Sequence, residues 1–89
     1  MDHTRAFPFM YKGALYTNVL DTKRESGIYY INEGGKTINN WTAYGTLVVF
    51  SAPEGQYRFD VQMFIHAEGL LCFRASSNLN QWSPWRSLS

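Results

Sequence analysis

His66 and Cys72 are the residues in this chain whose types could do covalent chemistry together. They flank the segment Ala67-Glu68-Gly69, on what read as opposing strands with both side chains pointing outward. A thiol beside an imidazole is the elementary pattern of an activated sulfur nucleophile. Such a pair also needs a group to orient the imidazole and a site to hold an anion. Neither stands near, since Asp60 is several residues down the strand. The carboxylates (Asp2, Asp21, Glu25, Glu33, Glu54, Asp60, Glu68) are scattered, and no spacing commits two of them to acid–base work. Two histidines and one cysteine spread along the chain fall short of a zinc set. Glu33-Gly34-Gly35-Lys36 has no following helix that would make it a phosphate loop. No catalysis, metal or cofactor is expected.

Recognition by contact is the remaining chemistry. Trp41, Trp82 and Trp85 carry indole faces that can stack on the apolar face of a sugar ring. Tyr44 ends the stretch holding Trp41, and Arg74 can bond or stack beside them. These five residues are the candidate ligand groups, and residues 32–44 and 76–85 the candidate contact surface. Packing is the competing account. One tryptophan buries roughly 150–250 Å², or roughly 4–6 kcal/mol as an upper bound at about 25 cal/mol per Å². Whole-domain stability is only about 5–15 kcal/mol. A small domain can hardly leave three indoles in solvent, so packing outweighs ligand contact at each of them. Arg74 is as readily a brace stacked on Trp82 or Trp85.

Positioning these groups falls to residues 56–76, QYRFDVQMFIHAEGLLCFRAS, which read as one long β-hairpin. Tyr57, Phe59, Val61, Met63 and Ile65 alternate with Arg58, Asp60, Gln62 and His66, so one face of the first arm is apolar. Gly69 falls at the third position of a three-residue loop, where positive φ favours glycine. That loop pairs His66 with Leu70, Met63 with Phe73 and Val61 with Ala75, and sets Leu71 beside Ile65. Arg74 then lies opposite Gln62, outside a core built on the odd positions. A two-residue turn would put Arg74 across from Met63, inside that core, which is far costlier than a suboptimal turn.

The rest of the chain frames this hairpin. Residues 27–32, GIYYIN, read as a strand. Residues 33–36 read as a loop that continues through Asn39-Asn40-Trp41-Thr42. Residues 45–51, GTLVVFS, lack alternation and read as a central strand covered on both faces. Residues 52–55 are a turn and residues 76–81 a polar loop. Residues 13–25 are irregular, with one helical turn at most. Residues 1–12 form an apolar arm broken by Pro8, with Phe7, Phe9, Met10 and Tyr11 too apolar for a solvated tail. The fold class is mainly β: a small antiparallel sheet of about four strands with aromatic loops and an irregular N-terminal arm. Residues 13–89 make the domain. No amphipathic helix is available for the second sheet face, so its cover comes from the arm, the tryptophan loops or another copy of the chain.

Composition agrees with a single contact-making domain. Hydrophobic residues are 45% of the 89 and aromatics 17%. Charged residues, also 17%, fall below the roughly 25% usual for globular domains. Apolar surface left exposed by such a chain marks a partner. A net charge of +1 gives no field for nucleic acid. Cys72 has no second cysteine to pair with and reads as a small hydrophobe. No apolar run reaches spanning length, and no basic segment precedes an apolar block at the start, so a soluble chain without membrane insertion or ordinary secretion signal is expected.

Ser26-Gly27-Ile28-Tyr29-Tyr30, then Asn40-Trp41, then Gly45-Thr46-Leu47-Val48-Val49, then Gln62, Phe73-Arg74 and Trp82-Ser83-Pro84-Trp85 occur in that order. The set resembles the pyocin-knob domain of R-type pyocin fibres and phage tail-fibre proteins, over roughly residues 20–88. Thr42 stands where a proline often follows the Asn-Trp pair in those modules. The resemblance implies a location in a virion or bacteriocin particle, assembly as a homotrimer, and action outside the cell at the host surface. It implies lipopolysaccharide or another host surface glycan as ligand, with a purely structural trimerisation or spacer role as the alternative. It carries over no site residues.

Overall fold

The computed structural model describes residues 10–88; Phe7, Pro8 and Phe9 of the expected arm lie outside them. Six strands form one sheet in chain order. They are β1 (Tyr11–Ala14), β2 (Gly27–Ile38), β3 (Trp41–Glu54), β4 (Tyr57–His66), β5 (Leu71–Ser77) and β6 (Arg86–Ser87). The sheet is larger than the expected four strands because both margins add a short one. It is also mixed: β1 runs parallel to β2, and every later pair is antiparallel. A parallel neighbour requires a crossover, and residues 15–26 supply it with a 3₁₀ helix at Thr17–Thr22.

Local sequence explains each antiparallel turn. Asn39 and Asn40 stand at φ 55° and 64°, with Ile38 paired to Trp41 across them. Two positive-φ residues in a two-residue loop make a type I′ hairpin turn, which asparagine tolerates well. The long loop expected over residues 33–42 is therefore this tight turn plus an irregular stretch of β2 between Glu33 and Thr37. Its glycines mark a bulge-like break in a strand. Gly55 at φ 61° opens the next two-residue turn, and strand pairing runs on through Pro53 and Glu54. Residues 52–54 thus belong to β3, which lies centrally as expected, between β2 and β4.

The β4–β5 hairpin has the expected register. Met63 faces Phe73, Val61 faces Ala75, and Gln62 faces Arg74. The His66 N–H donates to Leu70 O at 2.8 Å, the Gly69 N–H donates to His66 O at 2.8 Å, and Gly69 has φ 92°. The choice of face is reversed. The core uses the even positions Phe64 and Cys72, with Asp60, Gln62, His66, Arg74 and Ser76 buried beside them. Across the sheet these join Leu47, Val49 and Ala43 of β3 and Tyr29 and Ile31 of β2, with Leu15, Leu20 and Ile38 closing the cluster. The odd positions form the opposite face, where Phe59 is 61% and Tyr57 58% exposed. Val48 and Phe50 of β3 share that face, Val48 half-buried and Phe50 36% exposed.

What decides the face is what lies against it. The 3₁₀ helix and the segment after β5 both pack on the even side. Gln62 Nε2 donates to Leu20 O at 2.7 Å and Lys23 O at 2.9 Å, taking up carbonyls at the helix end. Glu33 Oε1 accepts from the Thr17 N–H and hydroxyl at 2.7 and 2.8 Å, tying the helix start to the irregular stretch of β2. Those two bonds hold the Glu33 carboxyl below its ordinary value.

Two glycines test this geometry. Gly69→Val, forced to positive φ, should cost about 1–3 kcal/mol in denaturant unfolding. Gly45→Ala should cost at least as much, because its Cβ would run into the Ile65 carbonyl oxygen across the ladder. A neutral Gly69→Val removes the three-residue turn.

Candidate functional site

The five sequence-picked residues divide between the two faces. Trp41, Arg74, Trp82 and Trp85 lie on the buried side, and Tyr44 lies on the open one. The structure therefore brings Arg74, Trp82 and Trp85 into one packed group, sets Trp41 against the core cluster on the same side and leaves Tyr44 apart.

The packed group is a chain of ion pairs and stacked rings. Asp60, with no exposed surface, accepts four bonds. Its Oδ2 takes Arg24 Nη1 at 2.8 Å and Arg58 Nε at 3.0 Å; its Oδ1 takes the Ser51 hydroxyl at 2.6 Å and Arg58 Nη2 at 3.0 Å. Burial pushes the Asp60 carboxyl up, but the bonds from Arg58, Ser51 and Arg24 outweigh it and hold the group below its ordinary value. Arg74, 8% exposed, donates from Nε to Gln62 Oε1 at 2.9 Å. Its Nη2 lies 2.9 Å from Asp21 Oδ1, a charge contact without a well-aligned hydrogen bond. The guanidinium carbons of Arg24 and Arg74 stand 4.6 and 4.8 Å from the Trp82 ring centre, and Arg74 is also 4.7 Å from that of Trp85. Trp82 Nε1 donates to Asp21 O at 2.9 Å.

This group is spoken for internally. Asp21, Arg24, Arg74 and Trp82 line a depression of about 440 Å³, yet each guanidinium there already has a carboxylate partner. An anion would meet Asp21 as well as the arginines. Trp82 already carries stacked guanidinium, and Trp85 and Trp41 pack on the core cluster. Trp41 also meets the His66 ring edge-on at 6.1 Å.

The expected outward placement of His66 and Cys72 is overturned. Both are buried, because the even face is the inner one. Burial pushes the Cys72 thiol up to about 11, so it carries its proton at neutral pH. His66 Nδ1 accepts the Glu68 N–H at 3.1 Å. Neither group is placed to attack anything in solvent. Among the described residues, no cluster of three or more His, Cys, Asp or Glu could hold a metal ion.

The open face holds a different arrangement. A shallow depression of about 720 Å³ lies at the turn end of the sheet, lined by Tyr30, Asn32, Tyr44, Thr46, Ile65 and Ala67 among others. The register explains it: Asn32 pairs with Tyr44 and Tyr30 with Thr46, so these side chains share one face. Gly45 contributes no side chain to its lining. Tyr30 and Tyr44 are 49% and 42% exposed. Asn32 Nδ2 donates to the Tyr30 hydroxyl oxygen at 2.8 Å, which leaves the Tyr30 O–H and the Asn32 Oδ1 to face outward. Sequence reasoning picked Tyr44 here and missed Tyr30 and Asn32. The turn alone could not have found them: its register would set Asn32 opposite Leu47, and only the break in β2 between Glu33 and Thr37 brings Asn32 opposite Tyr44.

No family model, curated protein or solved structure matches this chain.

Asp60 carries the prediction. A carboxyl held below its unfolded value adds stability above that value, 3.8, and loses it as pH falls through the folded one. Melting temperature should therefore drop steeply in acid below about pH 4, and Asp60→Asn should flatten that limb. At neutral pH, Asp60→Ala should cost about 2–4 kcal/mol, since Arg24 and Arg58 lose their buried counter-ion but keep some access to water. An acid limb unchanged in Asp60→Asn contradicts the assignment.

Proposed function

We propose that this chain is a non-catalytic recognition module of a phage tail fibre or related particle, acting outside the cell on a carbohydrate of the host surface. The observation that carries the reading is the depression floored by Tyr30, Asn32 and Tyr44. Two exposed aromatic rings offer apolar faces to the C–H side of a pyranose. Asn32 Oδ1 and the Tyr30 hydroxyl supply the directional bonds that a sugar's hydroxyls require. No Asp, Glu, Lys or Arg lines the depression, which suits a neutral glycan or the neutral saccharide of a lipopolysaccharide. The resemblance to pyocin-knob modules supports the virion or bacteriocin-particle setting.

The sugar contact moves, in this reading, from the tryptophans to the tyrosines. Trp82, Trp85 and Arg74 hold the 3₁₀ helix and the C-terminal segment onto the sheet, and the sugar meets the other face. A second reading, a structural knob that trimerises or spaces a fibre, is favoured by one observation: the rest of the open face is largely apolar, with Glu54 and Arg86 only at its margins.

Titration against a panel of isolated host polysaccharides tests the first reading. Tyr44→Ala and Asn32→Ala should each weaken binding about tenfold or more, with unchanged melting temperature. Trp82→Ala should lower the melting temperature while leaving the affinity of the folded fraction near that of the parent chain. Affinity untouched in Tyr44→Ala would remove the site; a chain that binds no saccharide in the panel would remove the reading.

A further inference from the structure

We infer that the sugar site runs past its depression to Tyr16 and takes an internal segment of a linear glycan, not a single terminal sugar. The inference rests on the carbohydrate reading above and names the form of saccharide that site accepts. Tyr16 enters through the strand register. The Leu15 N–H donates to Tyr30 O at 2.8 Å, which continues the parallel pairing of β1 with β2 one step past Ala14 and sets Leu15 beside Ile31. Both of these side chains are in the core. Tyr16 follows in extended backbone, φ −105° and ψ 150°, so its side chain falls on the opposite face, beside Asn32. It is 62% exposed. Asn32 pairs with Tyr44, and the Ala67 N–H donates to Tyr44 O at 2.9 Å. Tyr16, Asn32, Tyr44 and Ala67 thus form one row across the open face.

The rings of this site lie down on the sheet instead of standing out of it. A Cβ added at Gly34 would come 2.7 Å from the Tyr44 hydroxyl oxygen, so that ring reclines across β2 over a residue with no side chain. The Tyr30 hydroxyl is held at 2.8 Å by Asn32 Nδ2, two residues along its own strand and on the same face. Reclined rings offer their faces outward and build no wall. The turn end has no stop either. Ala67 and Gly69 bring no bulk there, and Glu68 leans to the inner side, its Oε1 4.0 Å from His66 Nδ1. A chain can therefore enter over the turn, cross Asn32 and leave over Tyr16.

Spacing sets the length of that chain. Asn32 stands between Tyr16 and Tyr44, so their Cα atoms are about 10 Å apart at about 4.8 Å per strand. One pyranose cannot stack on both rings. A sugar on Tyr44, with a hydroxyl bonded to Asn32 Oδ1, leaves Tyr16 for a later sugar of the same chain. The second contact is then intramolecular, and a longer fragment gains affinity without any change in its chemistry.

Titration of the full chain tests this, with size-fractionated fragments, monosaccharide to hexasaccharide, of whichever neutral polysaccharide of the panel binds. Affinity should rise about tenfold or more from the monosaccharide to the tetrasaccharide and level off beyond it. Tyr16→Ala should remove most of that rise and leave monosaccharide affinity and melting temperature unchanged. Tyr16→Phe keeps the stacking face and should keep the rise, whereas Tyr44→Ala should weaken fragments of every length. The length series on the parent chain reads the same inference without any variant. Equal affinity for monosaccharide and hexasaccharide, or a rise that survives Tyr16→Ala, overturns the extension while the carbohydrate reading stands. Binding to no polysaccharide of the panel removes that reading and this inference with it.

Discussion

The Asp60 carboxylate is the interaction on which the rest of this fold depends. A fully buried charge is tolerated only where partners replace its water. Arg24 comes from the crossover, Arg58 from the same strand, and Ser51 from β3, so one anion joins three parts of the chain. Arg24 then reaches on to Ser76 Oγ at 3.0 Å, to Asn80 O at 3.2 Å and to the face of Trp82. Through it, the segment after β5 is held down over the sheet. Gln62 extends the same logic one pair along, bonding the helix carbonyls with its amide nitrogen and Arg74 with its oxygen. A small domain without a disulfide thus fastens its non-sheet segments by a satisfied polar network on the inner face.

That network explains an apparent inversion of the hydrophobic pattern. Alternation told where the strands lie and which residues pair, because the Gly69 turn and the separation of Arg74 from the Met63 side admit one register. It could not tell which face is inside. The odd residues are the greasier set, and placing them in the core minimises exposed apolar area for an isolated sheet. The sheet is not isolated. Arg24, Trp82 and the helix carbonyls, all remote in sequence, make Asp60, Gln62 and Arg74 acceptable inside. Those partners act over separations of tens of residues, where local pattern is blind. The packing account of Arg74 and Trp82 was legible from residue type alone, since an arginine beside tryptophans in a small domain finds an aromatic face.

Other differences have equally local causes. Glycine pairs read as loop signals, yet Gly34-Gly35 sit inside a long irregular strand because the Asn39-Asn40 turn lies beyond them. Tyr44 was readable as a contact candidate, but its neighbours Tyr30 and Asn32 became visible only with the register break between Glu33 and Thr37, which local sequence does not fix. The consequence for function is a division of labour between faces. One side is taken up with holding the domain together, and the proposed sugar contact falls on the other, largely apolar one.

The single cysteine reports directly on which face is inner. Native-state labelling of Cys72 with a small thiol reagent, followed over a denaturant series, measures how often that face opens to solvent. Labelling should be slow in buffer and should follow the global unfolding equilibrium, because the thiol is reached only when Asp60 and Arg24 part and the segment above the sheet lifts. Prompt labelling of the folded protein at neutral pH would put Cys72 on the outer face and contradict the account.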